Sequence, residues 1–153
     1  MEKRKSCRAI IIDKNKLVAM YREKNNKVYY TFPGGGIEEN ETELECVKRE
    51  CREEFGIEVE PVRKLYILED EKSIQNFYLC NWIYGALGEG DGEEFSDQSR
   101  GVYIPSLLPF ENINSLPLVP PEIKEAVLKD YDVENQNFDK VQNVEVFKSS
   151  FNG

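Results

Sequence analysis

Three glutamates, Glu50, Glu53 and Glu54, recur at spacings of three and four in a segment where six of the eight residues before Gly56 are charged. On a helix of 3.6 residues per turn, those spacings set all three carboxylates on one face. Like charges so placed repel by a few tenths of a kcal/mol per pair. A divalent hard cation, which takes oxygen ligands, is the simplest reason to keep them together. A solvated helix face that carries no ligand is the alternative.

The surrounding residues predict the elements that would hold these acids. Thr42 with Glu45 three residues on fits a capping box, and Gly56 fits a C-terminal cap. Between them Leu44, Val47, Cys51 and Phe55 form an apolar stripe at helical spacing. At about 100° per residue, the acids lie roughly a quarter to a third of a turn from that stripe. They should sit at the edge of the buried side, facing a cleft. Upstream, residues 28–32 read as a strand that stops at Pro33, and Gly34-Gly35-Gly36 follow as a loop.

The remaining chain reads as scaffold. Residues 7–13 predict a buried strand, and 13–16 a turn into a second strand at 17–21, which together make a hairpin. Two strand-like runs follow the helix, at 58–68 and 73–87; residues 88–101 are a glycine-rich acidic loop, and 102–109 a short strand broken by prolines. Pro120-Pro121 opens a second helix to about Tyr131, with Ile123, Ala126 and Val127 as its apolar side. Residues 1–131 are therefore expected to form a single domain. Residues 132–153 form a polar tail that frays or adds one edge strand at 144–147. This order predicts an α+β sandwich, an α/β/α arrangement with a mixed β-sheet between helices.

Composition removes several kinds of chemistry. The 153 residues include no histidine, so Ser-His and Cys-His pairs and imidazole zinc sites are excluded. Acid-base work would fall to carboxylates, lysine or tyrosine. A net charge of -9 disfavours binding to duplex nucleic acid. It suits a phosphorylated ligand that arrives with its own metal ion. Cys7, Cys46, Cys51 and Cys80 form no Cys-x-x-Cys pair and read as free thiols. The apolar run 9–12 is too short for a signal peptide, and no window approaches a membrane span of ~20 apolar residues. A soluble, cytoplasmic protein with no membrane partner is expected.

Gly35, five residues, Glu41, seven residues, then Arg49-Glu50-Cys51-Arg52-Glu53-Glu54-Phe55-Gly56-Ile57 resembles the Nudix box. Every fixed polar and glycine position is filled. Cys51 departs from the usual bulky aliphatic, a change of packing and not of chemistry. The resemblance implies hydrolysis of a nucleoside diphosphate linked to another moiety, with Mg²⁺ or Mn²⁺ bound and a small nucleotide as substrate. It further implies metal-binding roles for Glu50, Glu53, Glu54 and the carbonyl of Gly34, an orienting role for Arg49 and a supporting one for Glu41. Glu50 or Glu53 could serve as general base, or a loop acid could. Glu94 is the candidate there, with Glu93 as alternate and Asp91 behind it.

Arg22 aligns with a position that contacts substrate phosphate in some members, the alternative being a surface arginine in a charged turn. Gly35 and Gly36 are further candidates for substrate contact. Tyr29, Tyr30, Phe77, Tyr78 and Trp82 could stack a base but read first as core, as Cys46 and Cys51 do. Signatures of nucleotide-sugar, dinucleoside polyphosphate, coenzyme A and NADH subfamilies are absent; a nucleoside triphosphate pyrophosphatase is the expected type, and a Nudix hydrolase for a nucleotide sugar or dinucleoside polyphosphate is an alternative. A nucleotide-sensing module that does not cleave is the second hypothesis. A homodimer is a common assembly in the family, although no residue here points to one.

Overall fold

A computed structural model of the chain describes residues 2–88 and 101–149. The element order is β1 (Arg4–Ile10), β2 (Ile12–Asp13), β3 (Lys16–Lys24), β4 (Lys27–Thr31), β5 (Gly34–Gly36), α1 (Glu43–Phe55), β6 (Glu58–Glu69), β7 (Ser73–Tyr84), β8 (Val102–Pro109), a 3-10 helix (Phe110–Ser115), β9 (Leu118–Val119), α2 (Pro121–Asp130) and β10 (Glu145–Lys148). The architecture is the expected α+β sandwich, but its strands are divided between two sheets. One is mixed, in the order β10-β6-β7-β1-β5; the other joins β2, β3, β4 and β9, with β8 on β3.

The division falls at Ile11. The single strand expected over 7–13 is two, because β1 pairs with β5 and β7 while Ile12 and Asp13 pair with Leu17 and Lys16. Lys14 and Asn15 turn the chain at φ of 50° and 60°, and Asn25 and Asn26 do the same between β3 and β4 at 53° and 64°. Two consecutive left-handed residues are what a type I′ hairpin turn requires, and asparagine tolerates them well. β8 is continuous rather than broken, since an edge strand accommodates prolines. The triglycine segment is likewise no loop: as β5 it pairs antiparallel with β1, Gly35 opposite Cys7.

The mixed sheet has apolar side chains on both faces, which is why its central strands read as continuous hydrophobic runs. On one side Cys7, Ala9, Val59, Tyr78 and Cys80 meet Cys46, Val47, Cys51 and Phe55 of α1. On the other, Ile10, Tyr66 and Phe77 meet Ile123, Ala126 and Val127 of α2. Phe138 and Val141, downstream of α2, pack into this second cluster, and β10 then pairs parallel with β6. Residues 145–148 form the strand, close to the 144–147 expected.

Candidate active site

Helix α1 begins and ends where its caps dictate. Thr42 Oγ1 accepts from the Glu45 N–H at 3.1 Å, and Glu45 Oε1 accepts from the Thr42 N–H at 2.8 Å. Gly56 adopts the left-handed conformation at φ 72° that closes such a helix, at little cost for glycine. The buried stripe differs at one place from the expected one. Leu44 remains 48% exposed, while Cys46 is fully buried, its thiol 3.6 Å from the carbonyls of Gly35 and Gly36.

Arg49 organises the acids. Its Nε donates to Glu41 Oε2 at 2.6 Å, its Nη2 to Glu41 Oε1 at 3.0 Å and to the Gly36 carbonyl at 3.2 Å. Its Nη1 bridges Glu50 Oε1 at 2.9 Å and Glu53 Oε2 at 3.1 Å, and Glu38 approaches Nε at 2.9 Å. One guanidinium therefore serves four carboxylates, and its fork geometry aims them as well as pairing them. The hydrogen bond to Glu41, reinforced by the charge of Glu50, holds the Arg49 guanidinium further above its ordinary range. In return Arg49 lowers the Glu41 carboxyl below its usual value.

β5 is fitted to this cluster. A Cβ on Gly35 would stand 2.6 Å from Glu50 Oε1, so only glycine leaves that carboxylate its place. Gly34 has φ of 147° and would drive a Cβ to 2.2 Å from the Cys7 carbonyl. Its N–H donates to Glu54 Oε1 at 2.9 Å, and its carbonyl accepts from Arg8 Nη1 at 3.2 Å. Glu50, Glu53, Glu54 and Gly34 are thus gathered around one end of β5 and one face of α1. The Glu50 side chain is only 12% exposed, whereas Glu53 is 42% exposed and reaches outward.

These donors suit a hard divalent cation by their chemistry, since all are oxygens. As the side chains lie, no three His, Cys, Asp or Glu groups among the described residues converge to hold an ion. Arg49 Nη1 occupies the place between Glu50 and Glu53, and Glu54 turns to the Gly34 N–H. The cradle at Gly35 and the oxygen set fit a cation, which would require Arg49 to yield one of its contacts.

The other expected residues are distributed differently. Glu94, Glu93 and Asp91 lie outside the described residues. Arg22 is no surface arginine in a turn: it lies within β3, its guanidinium carbon 3.7 Å from the ring centroid of Tyr103 and 5.6 Å from that of Tyr29. Its Nε is buried without a hydrogen-bond partner among the described residues. Phe77 and Tyr78 are core, and Tyr30 and Trp82 pack against it. Tyr78 also donates to Glu43 at 2.6 Å. All four cysteines are free and buried, Cys46 and Cys51 as packing residues.

Two residues escape a reading of the sequence. Tyr103 meets Arg22 only through the β3–β8 register, which no local pattern announces. Arg8 donates to the carbonyls of Phe32 and Gly34, at 3.0 and 3.2 Å. An arginine within the apolar run of β1 is the signal that could have marked it. Burial lowers its pKa, opposed by the negative charges of Glu54 and Glu50.

A two-sided sandwich, with a capped acidic helix packed on a triglycine edge strand, defines a class of fold and site. Residues 2–129 match the NUDIX domain, and the chain belongs to that family. It is 36% identical over 91 residues to the 8-oxo-dGDP phosphatase NUDT18 of Danio rerio; the match covers 56% of this chain and 28% of that protein. The chain thus spans under a third of that relative's length. Among solved structures, a NUDIX hydrolase from Nitrosomonas europaea aligns at TM-score 0.71 and 14% identity, covering 97% of this chain and 81% of that one. An ADP-ribose pyrophosphatase from Streptococcus suis aligns at TM-score 0.63 and 17% identity, covering 97% and 100%. At such identities the likeness is one of fold. No helix among the described residues is long and apolar enough to cross a membrane.

Proposed function

We propose that this chain hydrolyses a pyrophosphate linkage in a nucleoside diphosphate derivative with a divalent metal ion, nucleoside triphosphates being the class to test first. The observation that carries this reading is the Arg49 clasp, which gathers Glu41, Glu50 and Glu53 beside β5. A helix face with no ligand would gain little from holding like charges so close. Membership of the NUDIX domain family supports the same reading.

Glu50, Glu53, Glu54 and the Gly34 carbonyl are the residues that would hold Mg²⁺ or Mn²⁺. Such an ion, when bound, neutralises phosphate charge and eases the deprotonation of water. Arg49 and Glu41 orient the carboxylates. Gly35 and Gly36 allow close approach, having no side chains. Arg22, clamped between Tyr29 and Tyr103, is the candidate for a phosphate or base contact. Glu50, Glu53 or the loop acid Glu94 would take the proton of the attacking water. The four buried free thiols accord with a reducing, cytoplasmic setting.

The test is a panel of nucleoside triphosphates, nucleotide sugars and dinucleoside polyphosphates with Mg²⁺, read as phosphate or pyrophosphate release. Release by the wild type and its loss in Glu53→Gln are expected. A protein that binds nucleotide yet cleaves nothing, wild type and variant alike, would replace this reading with a sensing module.

A further inference from the structure

We propose that the face of β1 turned away from α1 is an anion track, on which Arg4 holds a phosphate group of the ligand. Alternate side chains of a strand share a face. In β1 this sets Arg4, Ser6 and Arg8 on one side and Lys5, Cys7 and Ala9 on the other, where Cys7 and Ala9 join the α1 core. Ser6 pairs with Gly36 and Arg8 with Gly34 on one flank. Arg4 pairs with Ser73 and Ser6 with Gln75 on the opposite flank. The two glycines raise no side chain from this surface, so the arginines stand beside open backbone.

Two cavities border this face. One, of about 550 Å³, is lined by Arg4, Lys5, Gly36, Ile37 and Ile74, with Glu2 and Lys3 also in its wall. The other, of about 190 Å³, is lined by Arg8, Gln75, Thr31, Phe32, Val119 and Pro120. Arg8 and Gln75 share the face of Arg4, whereas Ile74 and Lys5 point to the other, so the first cavity meets this face through Arg4 and Gly36.

The charges in this groove are unevenly committed. Lys3 is bound to Glu69 at 2.8 Å, and Arg8 to two carbonyls. The Arg4 backbone N–H donates to the Lys72 carbonyl at 2.8 Å, but its guanidinium forms no hydrogen bond or ion pair among the described residues; its Nη2 and Nε lie 3.7 and 3.9 Å from where a Gly36 Cβ would stand. The positive charge of Arg4 also acts against the protonated form of Arg8, adding to the effect of burial. Two like charges on one strand face of a chain with net charge -9 invite an anion, as the glutamates of α1 invite a cation. The planar fork of a guanidinium matches a phosphate.

The consequence is a narrower substrate class, and this step rests on the hydrolase reading. Gly35 faces Glu50 while Gly36 faces Arg4, so the two sites lie on opposite faces of β5. A phosphate on Arg4 is therefore distinct from those at the carboxylates. Ligands with a third phosphate, or a second phosphorylated moiety, gain over those ending in an uncharged sugar.

The test is calorimetric titration of the full chain with inorganic tripolyphosphate in the presence of a metal chelator, where no turnover occurs. The wild type should bind, Arg4→Glu should raise the Kd about tenfold or more, and Arg4→Lys should retain most of the affinity. Lys48→Glu, at a half-exposed lysine on α1, should leave the Kd unchanged. Arg4 is exposed, so its variants should fold, as circular dichroism would verify. Equal binding by Arg4→Glu, equal weakening by Lys48→Glu, or no binding by the wild type would each overturn the proposal. Tripolyphosphate binding through Arg4 together with an inert Mg²⁺ panel would remove the hydrolase reading and leave the anion track standing.

Discussion

Helices α1 and α2 cover opposite faces of the mixed sheet, and each carries acid out of bulk water in a different way. Asp130, at the end of α2, is only 4% exposed and accepts a hydrogen bond from the Tyr66 phenol at 2.8 Å. One neutral donor serves one carboxylate, and Tyr66 belongs to the core that α2 closes. On α1, one guanidinium is shared by Glu38, Glu41, Glu50 and Glu53, and the charge around it stays strongly negative. A buried acid with a matched donor is a structural device. Several acids around a single cation, half open to solvent, leave an excess of negative charge beside β5, and the proposed cation site rests on that excess.

The largest expected effect separates the two helices by function. Glu53→Gln should lower turnover about 10²–10³-fold while shifting the melting temperature little, since under the proposed function it removes a charge that acts on the reaction and no core contact. Asp130→Asn should leave turnover per folded molecule unchanged. If both variants lose activity equally, the two acids are not different in kind.

A smaller effect should appear in stability. Tyr66→Phe leaves the Asp130 carboxylate without its phenol donor, and urea unfolding should show a loss of about 1–3 kcal/mol. Turnover should be unaffected. An unchanged urea midpoint would mean that another donor replaces the phenol.

The smallest concerns pH. Arg49 depresses the Glu41 carboxyl below its ordinary value of 4.5, so the pair stabilises the fold fully above that pH. The contribution is lost as pH falls through the lower folded value. The stability gap between wild type and Glu41→Gln should therefore be complete at neutral pH and shrink in acid. A gap that does not change with pH would assign Glu41 a role other than pairing.

What could be read in advance was local. Thr42 with Glu45 specifies the start of α1 and Gly56 its end, and the acids follow from helical spacing alone. The partition of 7–13 between two sheets could not be read that way, because it depends on whether Ile12 pairs with Leu17 or continues beside β7. β5 was hidden for a related reason: three glycines look like a loop until β1 supplies their partners. Leu44 fitted the apolar stripe by period, but Cys46 lies beneath β5 and takes the buried place. Arg4 and Arg8 become a pair only when β1 alternates beside Gly34 and Gly36. Arg22 meets Tyr103 only across a register spanning some eighty residues of sequence.

The central claim is that the α1 carboxylates bind a divalent cation, whereas the α2 acid does not. Titration of the full chain with Mn²⁺, followed by electron paramagnetic resonance, tests it without any assumption about substrate. Saturable binding is expected in the wild type and in Asp130→Asn, and binding weakened at least about tenfold in Glu53→Gln. Equal Mn²⁺ affinity in the wild type and Glu53→Gln would contradict the account.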